Sequence, residues 1–193
     1  MYKQFKNEYH YKLNIPVEFK PSIIEDSNFR CHYPIELINQ EFKDWLKSFN
    51  IGIFLPEQFL LDPNNVSKHI IHKDGAYLFN FIKLNFVFCD TPSTMNWYKL
   101  LPGKELKNVN SSGGTPYLIS NADDTELVYS AQVGQPSLVN VSHLHDVSTV
   151  QSKRYCFSFV LTKLKDGEPI RGDQAFLSWQ EGEEIFDEYI IGG

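Results

Sequence analysis

The stretch IIHKDGAYLFNF, residues 70 to 81, sets an imidazole and a carboxylate two positions apart, His72 and Asp74, among apolar residues. On a β-strand side chains alternate between faces, so positions i and i+2 project together. An imidazole and a carboxylate on one face are half of a metal site. Such donors suit iron, manganese or zinc, and three ligands with open positions beside them suit non-haem Fe(II). A His-x-Asp pair also occurs by chance on solvated strand edges, so a third ligand must come from elsewhere.

The remaining histidines are His10, His32, His69, His143 and His145. His10 and His32 precede the main strand series, and His69, three residues before His72, faces the opposite way on a regular strand. His143 and His145 share a face in SLVNVSHLHDV, far along the chain, where only a folded β-structure could bring them to His72. In the next strand-like segment, RYCFSFVL, Arg154, Cys156 and Ser158 fall on one face and Tyr155, Phe157 and Phe159 on the other. A guanidinium on an apolar strand is costly to bury without an anion, and it grips a carboxylate through two parallel hydrogen bonds. The alternative is a strand-end arginine reaching water.

The elements that must position these groups are mostly strands. IGIFLPEQFLL reads as a broken β run and YLFNFIKLNFVFC as a long aromatic one; TMNWYKLL, ELVYSAQV, SLVNVSHLHDV and RYCFSFVLT follow between turn-forming clusters. Many strands at short spacing predict a mainly β sandwich or jelly roll. One helix is expected in PIELINQEFKDWLKSFN, where Ile35, Leu37, Ile38, Phe42, Trp45, Leu46 and Phe49 recur at helical steps behind Pro34. It would buttress one sheet from the N-terminal side. Residues 102 to 116 are rich in Gly, Ser and Asn and read as a loop, either a lid or a plain surface excursion. Trp97 and Tyr98 are candidates either for an entrance or for sheet packing.

The 193 residues show no internal repeat and no linker, which predicts one domain over 1–193 with its core at about 50–163. Hydrophobic residues at 42% and aromatics at 15% exclude a disordered chain. A net charge of −6 without any basic run argues against nucleic-acid binding. Three widely spaced cysteines, no signal-like start and no long apolar run lead to the expectation of a soluble cytoplasmic protein that does not enter a membrane.

The ordered set His-x-Asp, a strand-rich gap, P-x-L-x-N-x-x-x-x-H-x-V over 136–147 and an Arg nine positions after the His resembles the Fe(II)- and 2-oxoglutarate-dependent oxygenases. The resemblance is nearest to the small aspartyl/asparaginyl- and prolyl-hydroxylase-like members, and it covers roughly residues 65 to 162. It implies a double-stranded β-helix (jelly roll) with one or more buttressing N-terminal helices. It further implies Fe(II) held by His72, Asp74 and His145, 2-oxoglutarate as cosubstrate with its distal carboxylate on Arg154, and O2 as oxidant. Lys83, Asn85 and Ser158 are the further cosubstrate-binding positions, although relatives often carry a hydroxyl where Cys156 stands. The implied reaction hydroxylates a peptide or small-molecule substrate, a peptidyl or free amino acid among them, and releases succinate. A cupin-type metalloenzyme built on the His143/His145 pair would need a Glu where Thr149 and Val150 stand; a jelly-roll binding module without catalysis is the other alternative.

Overall fold

The computed structural model describes residues 7–25, 30–64, 70–74, 81–110, 116–134, 136–148 and 150–193. Two antiparallel sheets stack as a β-sandwich. The larger sheet is built from β1 (His10–Leu13), β2 (Arg30–His32), β3 (Ile51–Leu61), β5 (Ile82–Cys89), β10 (Ser137–Asn140), β12 (Arg154–Lys165), β13 (Glu168–Pro169) and β14 (Ile190–Gly192). The smaller comprises β4 (Ile71–Asp74), β6 (Thr94–Leu100), β7 (Lys107–Asn110), β8 (Pro116–Ser120), β9 (Thr125–Gln132) and β11 (Leu144–Val147). The orders are β14-β1-β10-β5-β12-β3-β2, with β13 paired to β12, and β7-β8-β4-β11-β6-β9.

The central strands of the larger sheet are buried on both faces, which is why IKLNFVFC and RYCFSFVLT look apolar almost throughout; the start of the expected aromatic run, residues 77–80, lies outside the described residues. On the outer face Ile82, Leu84, Phe86, Leu138, Phe157, Phe159 and Leu161 form one cluster with Phe19, Tyr33 and two helices, α1 (Gln40–Ser48) and α2 (Trp179–Phe186). The inner face, turned to the smaller sheet, carries a second and smaller apolar cluster that includes Val87, Val139, Cys156 and Val160. Interspersed with it are the buried polar groups Glu57, Lys83, Asn85, Ser137, Arg154 and Ser158. The apolar mass that holds the fold therefore lies mainly outside the larger sheet, and this leaves the space between the sheets to polar chemistry.

Several expectations are corrected. The segment behind Pro34 is not one helix: Ile35–Leu37 make a 3-10 turn, Ile38 and Asn39 are extended, and α1 begins at Gln40. Ile35 and Leu37 are exposed, so no burial rewards continuing the helix through them. Strands β1 and β2 precede α1, so the expected opening on buttressing helices is not what is observed. SLVNVSHLHDV is two strands rather than one, and the chain crosses from the larger sheet (β10) to the smaller (β11) through residues 141–143. Part of the expected 102–116 loop is strand β7, paired with β8; residues 111–115 of that stretch lie outside the described residues.

The break in β3 is a bulge. Phe159 faces Pro56 and Val160 faces Phe54, so Leu55, at φ 44°, has no partner and the strand changes parity there. Beyond it Glu57 and Phe59 stand opposite Ser158 and Cys156, on the inner face. At the C-terminal end SWQE is a capping box: Ser178 and Glu181 satisfy each other's backbone N–H groups at the start of α2. Gly182 lets α2 lie directly on β5, since a Cβ there would overlap Ile82 Cδ1.

His10 is fully buried between the sheets with Nε2 at 3.2 Å from Ser137 Oγ, and burial, aided by Lys12, pushes its pKa down to about 4. The unfolded chain, with an ordinary histidine near 6.5, binds the extra proton between those values, so this contribution to stability is complete above pH 6.5 and is lost as pH falls to 4. Over that interval His10→Gln should lose less stability in urea than the wild type, by about 3 kcal/mol. Parallel acid profiles for the two proteins would contradict it.

Candidate metal centre

The register of the smaller sheet assembles the site. On β4, His72 and Asp74 share the inner face, and β11 runs antiparallel beside it with His145 directly opposite His72. Ligand atoms of His72, Asp74 and His145 all lie within 4.8 Å of one another, and the two imidazole centroids are 4.4 Å apart. The pair close in sequence thus meets a partner that pairing alone brings near.

Both imidazoles are oriented in the same way. His72 Nδ1 donates to the Ile70 carbonyl and His145 Nδ1 to the His143 carbonyl, each at 2.8 Å. A carbonyl only accepts, so each Nδ1 carries the hydrogen and Nε2 is left for the cluster. Burial, reinforced by His72, holds His145 neutral with a pKa of about 3. At His72 burial works against charge, but the hydrogen bond and charge of Asp74, 3.3 Å from Nε2, outweigh it and raise the pKa. A metal ion would replace the proton that His72 and Asp74 otherwise share. The donor set of two imidazole nitrogens and one carboxylate oxygen fits a divalent transition metal with positions left open.

Asp74 is also fixed from behind. Its Oδ2 lies 2.8 Å from Lys83 Nζ, and Lys83 in turn reaches Glu57 Oε2 at 3.4 Å. Burial alone would raise the Asp74 pKa, but Lys83 and then His72 hold the carboxylate well below its usual range. Arg30 Nε donates to Glu57 Oε1 at 2.6 Å, Arg30 Nη2 pairs with the same oxygen, and Nη1 donates to Tyr117 Oη at 2.7 Å. Tyr117 stands edge-on to His72 at 5.4 Å. The chain Asp74–Lys83–Glu57–Arg30–Tyr117 therefore spans both sheets and returns to the His72/Asp74/His145 cluster. Lys83, expected against a cosubstrate, is engaged with Asp74 and Glu57.

Arg154 is 3% exposed, so it is not a strand-end group reaching water. Its Nε donates to Ser93 Oγ at 2.8 Å, and among the described residues no carboxylate pairs with the guanidinium. Ser158 Oγ donates to Asn85 Oδ1 at 2.7 Å on the same inner face. Trp97 is fully buried, with Nε1 donating to the Asn140 carbonyl, so it is a packing residue rather than part of an entrance. Tyr98, on the other face of β6, hydrogen-bonds Asp146. His143 lies outside the cluster and packs edge-on against Tyr9. His69 falls outside the described residues.

Sequence reasoning missed Glu57, Arg30, Tyr117 and Ser93. Each is a single polar residue in an otherwise ordinary segment; only an acidic side chain inside the apolar IGIFLPEQFLL run could have drawn attention to Glu57. Compared with models of known protein families and with curated proteins, the chain matches none.

The ion pairs make a test that needs no metal. Asp74→Ala strands a buried ammonium with a single carboxylate, and the metal-free protein should lose about 3 kcal/mol of stability in urea unfolding. Adding Lys83→Met should recover most of that loss. Additive losses would show that Asp74 and Lys83 are not energetically coupled.

Proposed function

We propose that this chain is an Fe(II)- and 2-oxoglutarate-dependent dioxygenase that hydroxylates a peptide or small-molecule substrate, such as a peptidyl or free amino acid. The observation that carries this reading is Arg154, a buried guanidinium that no carboxylate pairs with among the described residues, on the inner face of the sheet that meets the His72/Asp74/His145 cluster. An arginine cation enclosed in protein without an anion is costly, and a ligand carboxylate is the group that would relieve it.

The strand winding supports the same reading. Strands β3, β4, β5 and β6 alternate between the larger and smaller sheets; β9, β10, β11 and β12 repeat this in mirrored sequence, ending in the larger sheet. That alternation supports reading the sandwich as a double-stranded β-helix, with β7 and β8 as an insertion. Arg154 and the cluster are also set apart along the strands, as the two ends of a dicarboxylate would require. Trp97 pairs with His145 and Met95 with Val147, so Ser93, the partner of Arg154, lies about 13 Å along β6 from the His145 row.

In the proposed reaction one atom of O2 enters a substrate C–H bond as hydroxyl. The other enters succinate, as 2-oxoglutarate loses carbon dioxide. Iron, when bound, supplies the oxygen-activating redox chemistry. The chain's own groups bind and orient. His72, Asp74 and His145 would supply three donors to the ion, a number that leaves further positions for the diacid and O2. Arg154 takes the distal carboxylate and so fixes how the diacid lies. Asn85 Nδ2, which no protein acceptor engages among the described residues, offers a donor along the way. The apolar wall of Val87, Val139 and Val160 keeps bulk water out.

Because the substrate is unidentified, the test uses binding. With Mn(II) in place of iron, calorimetry should detect 2-oxoglutarate binding only when metal is present. His72→Ala should abolish metal retention, and Arg154→Met should weaken 2-oxoglutarate by at least tenfold while leaving metal binding intact. Metal binding without any 2-oxoglutarate affinity would favour a cupin-type site, and neither would favour a plain binding module.

A further inference from the structure

We infer that Glu57, which is not placed to ligate, is a positioning residue that sets the charge a metal ion meets at Asp74. The inference rests on the metal reading above.

Lys83 creates the need for it. Its ammonium is 2.8 Å from Asp74 Oδ2, so a divalent cation on Asp74 Oδ1 would stand within a few ångströms of a fixed positive charge, in a space with little water to screen it. An ammonium this close competes with the metal for the one carboxylate of the cluster. Glu57 offsets the competition. Only 6% exposed, it faces inward from β3 opposite Ser158, and its Oε2 reaches Lys83 Nζ at 3.4 Å over the top of β12. The ammonium is thereby divided between two carboxylates, and Asp74 keeps Oδ1 for the side where His72 and His145 point.

Glu57 is itself held in place. Arg30, on the edge strand β2, grips Oε1 and is tied to Tyr117 of the opposite sheet. Among the ion-paired groups, Asp74 and Glu57 balance Lys83 and Arg30, so the metal arrives at a site without surplus positive charge. Removing Glu57 would leave two cations against one carboxylate beside the incoming ion. If Glu57 served only as counter-ion to Arg30, its loss would disturb β2 but not the metal.

The experiment measures Mn(II) affinity of the full chain by paramagnetic resonance of the free ion, with thermal unfolding of each variant alongside. Glu57→Gln should bind about 10- to 100-fold more weakly than wild type. Adding Lys83→Met to it removes the surplus ammonium and should restore affinity to within a few-fold. Arg30→Gln, at a partly exposed position, leaves the Glu57 carboxylate to Lys83 and should bind at least as tightly as wild type. These opposite signs would not arise from loosened packing. Wild-type affinity in Glu57→Gln, no recovery in the double variant, or weakening in Arg30→Gln comparable with that in Glu57→Gln would overturn the inference. Wild-type binding that depends on His72 with Glu57→Gln unaffected defeats this inference alone. A wild type that takes up no Mn(II) defeats the metal reading and this inference with it.

Discussion

The buried ammonium of Lys83, held between Asp74 and Glu57, is the interaction on which the rest of the inter-sheet space depends. A lysine at 7% exposure keeps its charge only while carboxylates stay within reach, and its pKa is indeed driven upward by Asp74 and Glu57 against the opposing effect of burial. Asp74 is on the smaller sheet, Glu57 and Lys83 on the larger. The lysine thus fixes the separation of the two layers where the two histidines must converge. It also keeps Asp74 ionised, the form in which a carboxylate can hold a metal ion.

This interior, part polar and part apolar, holds the smaller of the two hydrophobic clusters, and the larger lies on the other side of the larger sheet. There the aromatic layer around Phe19, Phe42, Phe86, Phe157 and Phe159, capped by α1 and α2, provides the continuous apolar burial. The division follows from strand periodicity. On β5, Ile82, Leu84 and Phe86 go outward, and Lys83 and Asn85 inward; on β12, Phe157 and Phe159 go outward, and Arg154 and Ser158 inward. The bulge at Leu55 resets β3 so that Glu57 joins the inward set.

Much of this was legible in the sequence. The two-residue spacing of His72 and Asp74 required a shared face, and the alternation in RYCFSFVL separated Arg154 and Ser158 from the phenylalanines. The mainly β character followed from the density of strand-like runs. The rest depended on pairing that no local pattern encodes. His145 lies opposite His72 only because the chain changes sheets at 141–143, inside what read as one strand. Glu57 and Arg30 become partners only when β2 and β3 pair, and nothing near Arg30 announces it. The helix is shorter than its periodicity suggested because Ile35 and Leu37 find no core to enter.

A crystal structure of the chain with Mn(II) and 2-oxoglutarate, or its inert analogue N-oxalylglycine, tests the central claim most directly. The account predicts one metal ion on His72 Nε2, Asp74 Oδ1 and His145 Nε2, with the distal carboxylate of the diacid paired to Arg154. A metal bound elsewhere, or a diacid that leaves Arg154 without an anion, would contradict it.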